Sequence, residues 1–324
     1  MRTLVTGATG LVGNNVVRLL LQGGQSVRVL VREGHDPRPL DGLDVERVPG
    51  DVRDPDAVAA ACRDVGRIVH AAAYVHIGWS QLAQQRAINV EGTRRMGEAA
   101  LANGARLIHV SSVDALGIGS PAQPADERTP RGGKTPCSYV ITKSEAEDVV
   151  RQMVGRGLDA VIVNPGFMVG PWDWKPSSGR MLVEVGRRFA PLAPTGGCSI
   201  CDVRDVATGI LSAAELGQKG ENYILAGYNL SYLEIWRLFA RIAGSRPPLG
   251  RLGPAMRFAA GRIGDLFGRF AGREPDVNSA AISMSSLYHY YSSDRARAEL
   301  NYQNRPLDES VCEAWQWFQM HGYV

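Results

Sequence analysis

The sequence predicts an α/β fold: a doubly wound parallel sheet joined to a smaller, mostly helical C-terminal domain. Three observations predict it. Short apolar strands alternate with helical stretches from the first residues to about position 165. Several of those strands (VRVLV, LIHV, AVIV) are almost continuously apolar, as strands covered on both faces are. The first strand also runs directly into a glycine-rich turn, Gly7-Ala8-Thr9-Gly10-Leu11-Val12-Gly13, that opens a helix.

The elements follow in order. Thr3 to Val5 reads as a strand, Leu11 to Leu21 as a helix, Val27 to Val31 as a strand and Val45 to Val48 as a short one. Asp54 caps a helix running to Cys62, Arg67 to Ala71 is a strand, and Leu82 to Ala102 reads as one long helix. Arg106 to Val110 is a strand, Ser138 to Val154 a helix and Leu158 to Val163 a strand. Repeated strand-then-helix units give a parallel sheet with helices on both faces. Past Pro165, glycines and prolines across 166–197 read as loops and short helices. Ile200 to Ile210 and Glu221 to Ala226 read as a return to the sheet, and 228–324 is mostly helical. The expected division is one domain from 1–165 and 198–227, and a second from 166–197 and 228–324.

Bulk composition narrows the function classes. The 324 residues are 44% hydrophobic and 21% charged, with a net charge of +3 and no block of like charge, which argues against nucleic acid as a partner. No apolar run reaches the roughly 18 residues of a membrane span. The chain opens on a strand rather than a secretory leader, and its five cysteines lack framework spacing, so a reducing cytoplasm is expected.

The glycine turn carries the first chemistry. Gly7 permits the tight turn, Gly10 lets backbone approach a pyrophosphate, and Gly13 lets helix and strand pack closely. The helix N-terminus then offers free N–H groups and a dipole to the phosphates. This is the Rossmann arrangement, so the first domain is read as dinucleotide-binding and the second as substrate-binding. Arg32 stands at the end of the second strand, where a cation can hold a 2′-phosphate. That favours NADP(H), while Glu33 one place later keeps NAD(H) open.

Tyr139-Val140-Ile141-Thr142-Lys143 places a tyrosine and a lysine four apart, on one helix face. An ammonium about 4–5 Å from the phenol, at an effective dielectric near 20, favours phenolate by about 3–4 kcal/mol. That corresponds to roughly two to three pKa units. Tyr139 is thus expected to exchange a proton with a substrate oxygen while hydride moves to or from the cofactor. The strand ending at Val110 leads into Ser111-Ser112 at the ligand end of the sheet, where a serine hydroxyl can orient that oxygen.

Together, Gly7-x-x-Gly10-x-x-Gly13, Asp51-Val52, His70-Ala71-Ala72-Ala73, Asn89-Val90-Glu91-Gly92-Thr93, Ser111-Ser112, Tyr139-x-x-x-Lys143 and Asn164-Pro165 resemble the extended short-chain dehydrogenase/reductase superfamily over essentially the whole chain. The nearest branches are the dihydroflavonol-reductase-like and 3β-hydroxysteroid-dehydrogenase-like proteins and the hopanoid-associated sugar epimerases. The resemblance implies Ser112, rather than Ser111, as the catalytic serine. It implies Asp51 and Val52 at the adenine, Ala71, Ala72 and Ala73 along the cofactor's middle, and Lys143 on the nicotinamide ribose. Thr9, Leu11, Val12 and Val110 would complete the cofactor contacts, Asn164, Pro165 and Gly166 would border the nicotinamide, and Asn89 would support the neighbouring helix.

Weaker signals complete the reading. Tyr74, His76, Met168 and Trp172 are candidate substrate contacts, with Trp79 and Trp174 beside them, whereas Trp315 and Trp317 read as core anchors. Asp114, two residues past Ser112, is open to substrate-hydroxyl binding, to acting as an elimination base, or to capping its own loop. The lone Cys198-x-x-Cys201 reads as buried cysteines, and no metal is expected. Residues 251–273 form a basic amphipathic stretch that can cap a cleft, lie on a membrane surface or pack as a surface helix; Gly261, Gly264 and Gly268 would weaken it in isolation. The leading expectation is an NAD(P)-dependent oxidoreductase for a secondary alcohol/ketone pair, in a monomer or homodimer. A nucleotide-sugar epimerase or dehydratase and a non-catalytic dinucleotide sensor are its rivals.

Overall fold

The computed structural model describes residues 2–324. In its first half the chain forms β1 (Arg2–Thr6), α1 (Leu11–Gln22), β2 (Ser26–Val31), β3 (Glu46–Pro49), α2 (Pro55–Cys62), β4 (Arg67–His70), α3 (Leu82–Gln85), α4 (Glu91–Asn103), β5 (Arg106–Val110), α5 (Ser138–Gly155) and β6 (Ala160–Pro165). It continues through β7 (Phe167–Val169), α6 (Gly179–Arg187), β8 (Leu192–Ala193), β9 (Gly197–Asp202), α7 (Val203–Leu216), β10 (Asn222–Leu225) and β11 (Tyr228–Ser231). The last part holds α8 (Tyr232–Ala243), β12 (Gly250–Arg251), α9 (Pro254–Ala271), α10 (Ser279–Met284), β13 (Tyr288–His289), α11 (Asp294–Leu300) and α12 (Leu307–Met320).

Seven strands form one sheet in the order β10-β6-β5-β4-β1-β2-β3, every pair parallel. Strand order reverses between β1 and β4, and in such sheets ligands bind at the carboxyl ends of the strands at that point. Alternate strand residues feed opposite faces. Val5, Val69 and Ile108 pack with Val16, Val17 and Leu20 of α1 and Val206 and Ile210 of α7. Leu4, Ile68 and Leu107 pack instead with Val58 of α2, Met96 of α4 and Val150 of α5. Both faces are therefore covered, as the apolar strands predict.

One expectation is refined and one corrected. Leu82 to Ala102 is helical throughout, with Arg86–Val90 forming a π-helical turn between α3 and α4, and Asn89 of that turn reaches Thr142 of α5. The segment from Ile200 does not rejoin the main sheet. β9 pairs with β7, β11 and β13 in a second sheet, and only β10 returns to the first. The second sheet packs with α6, α8 and α12 around Phe239, Trp315, Trp317 and Phe318, the C-terminal tryptophans serving as the predicted core anchors.

Candidate active site

The glycine turn forms the floor at the β1 end. Gly7 adopts φ of +71°, and a Cβ there would lie 2.7 Å from the Ala71 carbonyl. A Cβ on Gly13 would fall 2.2 Å from the Gly7 carbonyl oxygen, so strand and helix meet too closely for any side chain. The Gly10 amide donates to the Gly7 carbonyl at 2.9 Å and closes the turn. Thr9, Leu11 and Val12 complete the loop, and α1 starts at Gly10 with no side chain capping it. Its first amides, beside a cradle that a Cβ would fill, suit a pyrophosphate. Arg32 lies exposed just past β2 and forms no ion pair among the described residues. Asp51, past β3, is bonded by Arg53 at 2.9 and 3.0 Å; those bonds, ahead of the charges of Arg53 and Arg32, hold its carboxyl below the usual range. Val52 beside it is buried. Ala71, Ala72 and Ala73 leave β4 directly over Gly7, with the Ala72 amide donating to the Thr6 hydroxyl at 3.2 Å.

The carboxyl ends of β5 and β6 and the first turns of α5 bring the catalytic candidates together. Ser111 and Ser112 follow β5, and Tyr139 and Lys143 are buried on one face of α5. Lys143 Nζ donates to the Val110 carbonyl at 3.0 Å. Ser111 donates to the Glu147 carboxylate at 2.7 Å, so its hydroxyl is consumed beneath the site. Ser112 lies beside the Tyr139 phenol; its hydroxyl accepts from the Asp114 amide at 3.1 Å and donates, at a longer 3.4 Å, to the Asp114 carboxylate.

The electrostatics differ from expectation. Burial pushes the Tyr139 phenol well above its ordinary value and the charge of Asp114 adds to this, while the Ser112 hydroxyl opposes it. Lys143 does not reverse the shift. Its Nζ stands 5.9 Å from the ring centre, held off by the Val110 carbonyl. Burial lowers Lys143 to about 8, against the charges of Glu147 and Asp114, which raise it. Burial thus favours the neutral phenol and opposes the pull toward phenolate that a neighbouring ammonium exerts.

Sequence reasoning missed Glu147, His289 and Lys134, which hold this arrangement together with Asn164, Asn89 and Asp114. Glu147, fully buried, gathers Ser111, Asn164 at 2.6 Å, Arg151 at 2.9 Å and Arg131 at 3.2 Å. Asn164 also donates to the Ser112 carbonyl at 2.9 Å. Its side chain thus points into the protein, which leaves its backbone, with Pro165 and Gly166, at the end of β6. Asn89 is likewise spent internally, bonding both backbone groups of Tyr74 at 2.7 and 3.0 Å and Thr142 of α5 at 3.2 Å. It ties the loop after β4 to the catalytic helix. Around Asp114 stand His289 at 3.5 Å and Lys134 at 3.9 Å, both buried. Glu147 alone had a readable signal, lying four residues past Lys143 on the same helix face; His289 sits in a two-residue strand and had none.

The substrate candidates divide. Tyr139 shares a buried apolar cluster with Cys137, Ala280 and Met284, and Ile77, Val140 and Leu287 pack against that cluster. Tyr74 is half-buried on the loop after β4, and Met168 lies half-buried in β7. His76 is not free: its Nε2 meets Glu274 at 2.8 Å. Glu274 also accepts from the Trp79 amide and the Ser80 amide, both at 2.8 Å, and from the Ser80 hydroxyl. Burial would raise this carboxyl, but those bonds hold it at about 2. The Trp172 ring stacks under the Arg18 guanidinium at 3.3 Å and meets Trp174 and Trp317, joining the second core to α1. Cys198 and Cys201 are buried in β9. Among the described residues, no three His, Cys, Asp or Glu side chains gather as metal ligands.

The model of the NAD dependent epimerase/dehydratase family matches residues 3–226. Sterol demethylase protein B of Methylococcus capsulatus is 34% identical, the match covering 100% of both chains. A putative dihydroflavonol 4-reductase of Synechocystis is 33% identical over 99% of this chain and 95% of its own. The crystal structure of gox2253 superposes with a TM-score of 0.88 at 37% identity, covering 99% of each chain. The chain belongs to the NAD-dependent epimerase/dehydratase family, the extended short-chain dehydrogenase/reductases, and is an enzyme of NAD(P)-dependent oxidoreduction.

Proposed function

We propose that this protein reduces a lipophilic ketone to a secondary alcohol with NADPH. The observation that carries the reading is the convergence of Ser112, Tyr139 and Lys143 at the carboxyl ends of β5 and β6, with Tyr139 set in an apolar cluster of Cys137, Ala280 and Met284. When bound, the dinucleotide supplies hydride to the carbonyl carbon. Tyr139 gives its proton to the carbonyl oxygen as negative charge develops there. Ser112 donates a hydrogen bond to the same oxygen, and Lys143 adds positive charge that stabilises the phenolate left behind. The glycine turn and the α1 N-terminus would hold the pyrophosphate, and Arg32 the 2′-phosphate.

A polar nucleotide-sugar fits less well beside Ala280, Met284 and Leu287, and the name of the Methylococcus relative points to a sterol-type compound. Asp114 supports the same reading. Its carboxylate faces His289, Lys134 and Ser112, which suits a fixed counter-charge better than an elimination base. The test is to offer NADPH with polycyclic ketones of low solubility, and separately nucleotide-sugars, following reduced nicotinamide by fluorescence. Oxidation with a polycyclic ketone is expected. Conversion of a nucleotide-sugar without net cofactor oxidation would replace this reading with the epimerase one.

A further inference from the structure

Helix α9 is built inside out. It packs on the protein through glycine. A Cβ on Gly264 would lie 2.0 Å from the Val277 carbonyl oxygen, one on Gly268 2.9 Å from Pro275, and one on Gly261 3.1 Å from Ser279. At 100° per residue, the opposite arc is Met256, Ala259, Ile263, Leu266, Phe267 and Phe270. Every one is exposed: Phe270 to 84%, Ile263 to 66% and Phe267 to 62%. The glycines that would weaken the isolated helix are thus its docking face, and its apolar stripe points away from the core.

Charge identifies what covers that stripe. Arg262 and Arg269 flank it on the helix, and Arg251 and Arg273 stand exposed just beyond its ends. The acids nearby are turned away. Asp265 accepts from the Ser279 amide at 2.9 Å, Glu274 is tied to His76, Trp79 and Ser80, and Asp276 is paired with Arg180. An apolar ridge bordered by unopposed arginines complements a layer whose surface is anionic and whose interior is hydrocarbon. A second copy would set arginines against arginines. No helix among the described residues is long and apolar enough to cross a membrane, so α9 would lie in the surface.

We propose that α9 is a monotopic docking helix that seats the protein on an anionic phospholipid bilayer. The helix is about 27 Å long at 1.5 Å per residue, enough to lay several anchors side by side. Its position ties docking to the site. The helix rests on α10, whose Ala280 and Met284 belong to the same buried apolar cluster as Tyr139. A groove of about 580 Å³ between α9 and α10, edged by Trp79, Phe258 and Ser279, opens beside this contact. The Trp79 ring is exposed while its Nε1 donates to the Ser279 hydroxyl at 2.8 Å, a placement suited to the headgroup layer. The docking proposal rests on α9 itself and holds whatever the substrate.

The experiment is flotation of the full chain with phosphatidylcholine vesicles and with vesicles enriched in phosphatidylglycerol. Three proteins are compared: the unmodified chain, Ile263→Ser/Phe267→Ser/Phe270→Ser and Arg262→Gln/Arg269→Gln. Circular dichroism and NADPH binding verify folding, since all five side chains are exposed. The unmodified protein should float with the anionic vesicles, and added salt should release it. The triple variant should lose binding at least about tenfold. The arginine variant should lose about fivefold per charge on anionic vesicles only. Failure of the unmodified protein to float with anionic vesicles overturns the proposal. So does a dimer in sedimentation equilibrium that the triple variant abolishes, because a second copy would then own the face.

Discussion

Substituting Glu147 with Gln tests how the site is held together, because one buried carboxylate carries four donors. Ser111 at 2.7 Å and Asn164 at 2.6 Å are buried partners. Arg131 and Arg151 are 36% and 38% exposed and regain water when released, so they count for little. A hydrogen bond to a charged group contributes about 1.5–3 kcal/mol and a neutral one about 1. Neutralising the acceptor should therefore cost about 1–2 kcal/mol for each buried donor, or about 3 kcal/mol in all. With an unfolding entropy of about 2.1 cal/mol/K per residue, a chain of this length loses about 1.5 °C per kcal/mol, so Tm should fall by about 4–5 °C. The catalytic effect is separate. Glu147 is the largest influence holding Lys143 up against burial. Activity needs the ammonium, so the rate falls as pH rises through about 8. Without the carboxylate, burial lowers Lys143 further and that limb moves to lower pH. Removing a neighbouring charge at an effective dielectric near 20 corresponds to roughly one to two pH units. Scanning calorimetry and the pH profile of kcat/KM measure the two effects. An unchanged Tm with an unmoved alkaline limb refutes the assignment of Glu147 as the positioning residue of Ser111, Asn164 and Lys143.

Tyr139→Phe should lower turnover by more than about 100-fold while NADPH affinity stays nearly unchanged, since only the phenol oxygen enters the chemistry; an active variant removes the proposed acid. Arg32→Ala should weaken NADPH by about 1.5–3 kcal/mol in calorimetric titration and leave NADH almost unaffected; tighter binding of NADH by the unmodified protein contradicts the cofactor reading. The protein should also lose stability in mild acid. Burial lowers His70 to about 3 and His109 well below its usual value, so the unfolded chain binds the extra protons and stability falls as pH drops below about 6.5. Between pH 7.5 and 5.5 the two histidines should cost about 3 kcal/mol. Asp173, raised by burial to about 6, takes up a proton in the folded state over that range and offsets under about 1 kcal/mol. Urea midpoints at the two pH values, with His109→Asn alongside, check this, and equal midpoints would contradict it.

The parts of the site that were legible are those whose chemistry is local in sequence. Gly7, Gly10 and Gly13 lie within one turn, and Tyr139 and Lys143 within one turn of helix, so spacing alone placed them together. Ser111 and Ser112 could not be separated by spacing, because adjacent residues at a strand end differ only in which way they face. The structure separates them through Glu147, which takes Ser111. His289 and Lys134 reach Asp114 from distant loops with no periodic pattern. His76 and Trp172 had the right residue types near the right strand ends, but Glu274 and Arg18 claim them. Spacing also says nothing of desolvation, which pushes a buried phenol such as Tyr139 up against the effect of a neighbouring ammonium. In the sheet, Ile200 has the apolar setting of a core strand, and pattern cannot say which of two sheets such a strand joins.

The central claim is net reduction with Tyr139 as the proton donor, and isotope transfer tests it most directly. The protein is given NADPH deuterated at the transferable position, together with a polycyclic ketone in ordinary water, and the product is analysed by mass spectrometry. The account predicts one deuterium on the carbinol carbon, one NADP+ formed for each alcohol, and loss of both in Tyr139→Phe. Deuterium retained on the cofactor while a nucleotide-sugar is isomerised or dehydrated would contradict it.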